Sequence, residues 1–503
     1  MKALAVALVL LLAVGFSVPS SSSQSTCVCG TKKVLLVLAE FPEYQHLSDR
    51  AEIAHLFFGQ VARYFLDVSY GKLAIGGNAT DWIMLPKLYE QYRVQGGPVD
   101  ILAIAKDSFS VASQTFNFTL FDEAFLVLSF YPGLTADYIQ LNKAISTPTG
   151  SVGSFAVVEE DREWSAYARG FGLMIGLWKY RSRLTGLGQL DIASSGLGDM
   201  SAFSKLSLGW INRSQIVAIP VPSVRHIIVL NPIESTQADT YVLRIDLGPS
   251  QDEYLIEVRQ PVGYDRNNLQ GYGVVVLYAP PGNSSLQFRT VLQPSNVGTA
   301  IFLDPSADLS VVALNQTQTG FRLLVSDVQD GRDAQRTLYA MDRASDAMQK
   351  AGIDNRTEGL DMAETLAENA HTLFTQARFQ EAEALAVSAE TTANSATIPS
   401  DYYQSVQSIL QAESLKNATF NLASPQGSAL AAQGSIRLDI AKQAFAARNF
   451  TFAKQSAQAA IELFNRAEQT DFTERILEWL STLALAIPVL ILAYALRYQL
   501  KST

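Results

Sequence analysis

Cysteine and histidine are both scarce in this chain, at two and four of 503 residues. Cys27 and Cys29 stand next but one to each other in CVCG, so no disulfide framework holds the protein together. One intervening residue makes a local bridge strained, which leaves free thiols, an intermolecular bridge or lipid attachment open. The residues before Cys27 do not match a lipoprotein cleavage box. His46, His55, His226 and His371 are scattered, and no two stand at i and i+4. The helical H-E-x-x-H zinc motif is therefore missing, as are a G-x-S-x-G elbow, a P-loop and a C-x-x-C pair. Basic charge is also in deficit, with 38 Lys and Arg against 48 Asp and Glu and a net charge of −10. That balance argues against nucleic acid as a partner.

What the chain has is apolar sequence at both ends and a long polar-apolar middle. Residues 1–26 carry one lysine, an apolar run from Ala3 to Phe16 and then a serine cluster, the pattern of a secretory signal peptide. Trp479 to Leu496 is uncharged and broken only by Ser481, Thr482 and Pro488. Its length is close to the roughly 20 residues that cross a bilayer. Arg497 and Lys501 follow, so residues 479–496 are expected to be a single transmembrane helix and 497–503 a cytoplasmic tail. The expected address is the plasma membrane, with an N-terminal ectodomain outside the cell. Eight N-x-[ST] sequons, at Asn78, Asn117, Asn212, Asn283, Asn315, Asn355, Asn417 and Asn449, take up about half of the asparagines and point to a glycosylated exterior.

Between the ends the hydrophobic period changes twice. Lys33 to Ala39 (KVLLVLA) is a continuous apolar run of strand length, and Phe125 to Phe130 is another. Ala51 to Asp67 places Ile53, Leu56, Phe57, Val61, Tyr64 and Phe65 on one helical face. Residues 33–213 thus read as an α/β or α+β domain. Residues 214–331 carry short strands such as HIIVL, TYVLRIDL, EYLIEVRQ and GVVVLY between turn residues, a β-rich domain or an extension of the first. Residues 332–470 turn to Ala, Gln, Glu and Leu and predict a helical bundle. Inside it Phe374, Phe379 and Ala382 recur 71 residues later as Phe445, Phe450 and Ala453, two tetratricopeptide-like hairpins, too few for a solenoid. The fold class expected is α+β followed by an all-α stalk or bundle and one membrane helix.

Five stretches, in order, resemble the secreted zinc metallopeptidases of the immune inhibitor A type over about residues 33–280. They are VLLVLAEFPEY from Val34, YFLDVSYGKLAIGGNATDWIMLP from Tyr64, ARGFGLMIGLWKY from Ala168, LDIASSGLGDMSAFSKLSLGWI from Leu190 and EYLIEVRQPVGYDRNNLQGYGVVVLY from Glu253. SYGKL and SKLSLGW are the more specific. The third stretch is similar to the family's H-E-F-G-H-x-x-G-L-x-D helix, in register at Gly172, Gly176 and Leu177. In that register the two histidines become Arg169 and Leu173, the glutamate becomes Gly170 and the aspartate becomes Lys179. Leucine cannot coordinate, two cations repel Zn²⁺, and glycine has no carboxylate to activate water.

The resemblance thus implies a metallopeptidase-like domain without catalytic or metal residues, zinc having been lost as a cofactor. Glu159, Glu160, Asp161 and Glu163 offer the oxygens that Ca²⁺ takes, but a solvated charge run is the expectation. Asp191, at the family's W-D position, is expected to be structural. The function expected is that of a membrane-anchored, glycosylated pseudopeptidase that binds a protein or peptide partner. The alternatives are an active metalloendopeptidase with another metal site and a structural cell-envelope component assembling through its helices.

Overall fold

In a computed structural model the chain is described over residues 27–94, 97–134, 136–221, 224–267, 271–294 and 296–501. The expected signal peptide, 1–26, lies outside the described residues. The fold divides between Gln335 and Arg336 into two compact units.

The first unit opens on β1 (Gly30–Glu40). A helical stretch follows, made of α1 (Arg50–His55), a wider π-type segment (Leu56–Val61) and α2 (Ala62–Val68). Next come β2 (Leu73–Ala79), β3 (Ile83–Met84), α3 (Ile101–Ala112), β4 (Glu123–Leu128), β5 (Asp137–Thr147) and β6 (Gly150–Glu159). The strands form one sheet in the order β2-β1-β4-β6-β5, with β3 also on β1. β1, β2, β4 and β6 are parallel to their neighbours, and β5 returns antiparallel on β6. Strand periodicity explains why β1 reads as an unbroken apolar run. Val34, Leu36 and Leu38 face one core and Leu35, Val37 and Ala39 the other, so both faces are covered.

After β6 come α4 (Trp164–Met174), α5 (Arg181–Leu184) and α6 (Ala202–Ser207). α4 packs with the Leu56–Val61 segment on the core that holds Val34 and Phe125. The chain then becomes all-β: β7 (Ile216–Pro220), β8 (His226–Leu230), β9 (Val242–Asp246), β10 (Glu253–Arg259), β11 (Gly273–Ala279), β12 (Gln287–Leu292), β13 (Ile301–Asp304), β14 (Leu309–Gln316) and β15 (Phe321–Ser326). They form two sheets, β12-β11-β10-β9-β7 and β13-β14-β15-β8. Ile256, Val258, Val274 and Val276 from the first meet Val311, Leu323 and Val325 from the second in a sandwich core. The opposite face of the first, with Leu255, Val275 and Leu277, joins the core under α4. The β-rich stretch is thus packed into the same unit as the parallel sheet.

α7 (Val328–Ile353) leads into the second unit, which continues through α8 (Leu360–Thr375), α9 (Phe379–Ser395), α10 (Ser400–Ala418), α11 (Pro425–Ala446) and α12 (Phe450–Lys501). The 71-residue echo is a repeated hairpin. Phe374 and Phe379 rings lie 5.4 Å apart, Phe445 and Phe450 rings 5.3 Å. Both turns place one non-glycine residue in the left-handed region, Ala377 at φ 59° and Arg448 at φ 60°. Both close with matching amide-carbonyl bonds, Arg378 to Leu373 and Asn449 to Ala444. A third helix joins each hairpin, since Ala340 of α7 packs with Ala370 and Ala386, and Ala412 of α10 with Leu438 and Ala460. The repeat is therefore a three-helix unit rather than a hairpin alone.

The membrane-length segment is not separated from the bundle. α12 runs 52 residues without interruption, with Pro488 inside it. Ala453, Ala457, Ala460, Phe464 and Ala467 are buried in the bundle, whereas Leu485, Val489 and Leu492 are bare. Its last part is the one described helix long and apolar enough to cross a membrane.

Candidate functional site

α4 carries Arg169, Gly170 and Leu173, three of the four positions that the resemblance sets in register with a helical zinc site. It ends because Gly176 adopts φ 134°, a conformation that L side chains rarely take. Its amide bonds to the Leu173 carbonyl, and the chain leaves the helix axis there. Lys179 therefore lies beyond the turn and is exposed. Leu173 is 1% exposed in the core. Gly170 sits flat on the sheet, and a Cβ there would stand 3.1 Å from Phe125 Cζ and 3.6 Å from Ala156 Cβ. Phe125 cannot step aside easily, since it is fully buried, packs edge-on to Phe57 at 5.0 Å and stacks with Tyr167 at 6.0 Å. Arg169 is half-buried and its Nε has no hydrogen-bond partner. Burial and the nearby Arg181 guanidinium lower its pKa, against Asp137. One cation, a bare backbone and a leucine do not fit a zinc ion.

The other sequence candidates fall elsewhere. His46 bonds through Nδ1 to Glu40 at 2.6 Å and stacks on Trp82, apart from the remaining histidines. Among the described residues no three His, Cys, Asp or Glu side chains gather as metal ligands. The acidic run is not the solvated stretch expected of it. Asp161 and Glu163 are exposed, but Glu159 and Glu160 are buried. Glu159 accepts from the Tyr131 amide and Arg162, while Glu160 accepts from the Leu47 and Ser48 amides. The two carboxylates serve different loops, and burial raises the Glu160 pKa. Cys27 and Cys29 also differ from expectation, because they are bonded to each other. Between them Val28 is clamped, its amide donating to Leu208 and its carbonyl accepting from Trp210 Nε1. Of the sequon asparagines, Asn78, Asn117, Asn212, Asn283, Asn417 and Asn449 are exposed, and Asn315 and Asn355 are half-buried.

A second constellation joins the resemblance blocks, and no sequence motif announced it. Lys205, fully buried on α6, donates to Asp199 at 2.9 Å, to the Tyr70 hydroxyl at 3.2 Å and to the Ile233 carbonyl at 3.1 Å. Arg259 at the end of β10 donates to Glu257 and Asp265, each at 2.7 Å, and to the Leu190 carbonyl at 2.8 Å. Asp265 also accepts the Asp199 amide, and Glu257 accepts the Ala202 amide. Asp191 accepts from Ala193, from the Ser201 amide and from the Ser201 hydroxyl, the structural part expected of it. SYGKL, GDMSAFSK and EVRQ thus meet in one buried network.

The network holds more acids than bases, and burial raises the pKa of two of its carboxyls. Burial pushes Asp199 up to about 6 in spite of Lys205. Burial, and then a hydrogen bond to Asp265, raises Glu234 well above the carboxylate range. Glu234 borders a cavity of about 780 Å³ lined mainly by Asn, Gln, Ser and Thr side chains. The network fixes α6 and the 188–201 loop against β10, with Lys205, Glu257, Arg259 and Asp265 closed to solvent and Glu234 at its open edge. It is suited to holding a frame rather than to contacting a substrate. No family profile and no curated protein matches the chain.

Proposed function

We propose that this chain is a membrane-anchored, glycosylated ectodomain, built on an immune inhibitor A-like frame, that binds a protein or peptide partner without cleaving it. The observation that carries the reading is Gly170. At the position of the water-activating glutamate, even a methyl group would press on Phe125. A carboxylate could enter only if that fully buried ring gave way. The neighbouring positions are closed in the same way, with Leu173 in hydrocarbon and Arg169 bearing a charge that repels a divalent ion.

The anchor is the bare apolar end of α12. Pro488 is compatible with that role, because a membrane helix tolerates one unpaired carbonyl when neighbours satisfy it. Asn417 and Asn449 in the helical unit are exposed, which supports a glycosylated ectodomain that includes this unit. The test is metal analysis of the purified full chain together with casein cleavage in the presence of zinc. Less than a tenth of an equivalent of zinc and no cleavage is expected. One equivalent of zinc with cleavage that a chelator abolishes sinks the proposal. For the address, intact cells treated with an external glycosidase are expected to show a mass shift of the full chain.

A further inference from the structure

Where β10, β11 and β13 come together, the two sheets of the sandwich leave an open cleft of about 500 Å³. It shares no lining residue with the α4 positions or the ionic network. Its wall is aromatic. Tyr254 meets Phe302 at 5.1 Å and 71°, and Tyr278 at 5.6 Å and 56°. Two carboxylates are held by those phenols, with the Tyr278 hydroxyl donating to Asp252 Oδ2 at 2.7 Å and the Tyr254 hydroxyl to Asp304 Oδ2 at 2.8 Å. Asp304 is satisfied, because its Oδ1 accepts from the Ser306 amide and hydroxyl. Asp252 accepts from the Ser250 side chain as well as from Tyr278, and these hydrogen bonds hold its carboxyl below the usual range. The Arg289 guanidinium lies 4.7 Å over the Tyr278 ring, at an exposed position. Tyr278 therefore gathers an acceptor at its hydroxyl and a donor on its face. Gln251 and Asp308, beside the lining residues, both stand in the left-handed region, at φ 61° and 47°. Such conformations in non-glycine residues cluster at ligand clamps.

These features select among ligand classes. A purely apolar ligand would cover the exposed Arg289 N–H groups without pairing them, an unfavourable burial. A cation would meet Arg289, which already occupies the face of Tyr278. A pyranose ring avoids both problems. Its C–H face lies against the partly exposed Phe302 ring, and its adjacent hydroxyls donate to a carboxylate and accept from a guanidinium. The cleft volume suits one or two such rings. We propose that the Tyr254–Tyr278–Phe302 cleft is a carbohydrate-binding site, with Asp252 and Arg289 gripping neighbouring hydroxyls of one sugar.

The test is saturation-transfer NMR on the full chain, produced without glycans and held in a non-glycosidic detergent. The probes are methyl α-mannopyranoside, methyl β-glucopyranoside, methyl β-galactopyranoside, N-acetylglucosamine and tetramethylammonium, each at about 10 mM, enough to fill most of a site of millimolar Kd. At least one sugar is expected to receive transfer. That sugar is expected to bind at least about tenfold more weakly to Tyr278→Ala and to Asp252→Asn. If Tyr278→Ala melts early, Arg289→Ala at its exposed position carries the same expectation. Absence of transfer to every sugar overturns the proposal, as does transfer that survives the variants. So does binding of tetramethylammonium in place of the sugars.

Discussion

Replacing Lys205 by methionine tests the ionic network at its most enclosed point. Lys205 is 0% exposed and Asp199 4% exposed, so the variant leaves a carboxylate with no cation in a site closed to water. Removing one partner of such a pair costs about 3–5 kcal/mol. The loss is expected to depend on pH, with a sign that follows from Asp199. Its folded pKa of about 6 lies above the ordinary 3.8, so its charge penalises folding above pH 6. That penalty, on the order of 3 kcal/mol, is relieved as pH falls through 6 toward 4. Without Lys205 the carboxyl is raised further and is held neutral at higher pH. At pH 8 the variant is therefore expected to lose about 3–5 kcal/mol. At pH 5, with Asp199 neutral in both proteins, about 1–3 kcal/mol remains from the unpaired Tyr70 and Ile233 oxygens. Adding Asp199→Asn, which keeps an acceptor for the Met200 amide, is expected to restore about 2 kcal/mol at pH 8. Urea unfolding followed by tryptophan fluorescence reports on the correct unit, because Trp82, Trp164, Trp178 and Trp210 lie in it and only Trp479 does not. Equal losses at pH 5 and pH 8, or a double variant no more stable than Lys205→Met, would refute the electrostatic account.

Two further substitutions separate conformation from packing. Gly176→Ala is expected to lose roughly 1–3 kcal/mol, because φ 134° penalises any Cβ although space is available there. Gly172→Ala, inside α4 with its nearest neighbour at 3.6 Å, is expected to gain up to about 1 kcal/mol by helix propensity. Thermal melts by tryptophan fluorescence check both, and equal signs would contradict the assignment of Gly176 as the obligatory turn. In the helical unit, Ala382→Leu and Ala453→Leu occupy equivalent, fully buried positions of the repeat. Each is expected to destabilise by about 1–3 kcal/mol in far-UV circular dichroism melts, with similar values for the two. A neutral result at one position alone would break the equivalence.

The readings that held are those in which one local signal suffices. KVLLVLA reads as a buried strand, and it became β1, whose alternate residues enter two cores. The strands HIIVL, EYLIEVR and GVVVLY appear where their composition and turns put them. The Phe-Ala echo marked a repeat, because small residues beside aromatic ones fix the same hairpin each time. Other features were hidden because they depend on distant partners. The run Glu159 to Glu163 looks uniformly solvated, yet Glu159 and Glu160 enter the fold to meet amides of loops 28 and more than 110 residues away.

From the sequence alone come the apolar C-terminal segment, the two changes of period and the absence of a paired-histidine helix. Each is a property of composition and spacing along one stretch. Only the tertiary structure decides that Gly170 lies against Phe125, that Tyr70, Asp199, Lys205 and Arg259 share one buried network, and that three rings, a carboxylate and a guanidinium line a cleft. The physical reason is that burial and pairing belong to the space between elements. Gly170 takes its role from Phe125, 45 positions away, Tyr254 from Asp304, 50 away, and Lys205 from Tyr70, 135 away, and no short window along the chain contains such pairs.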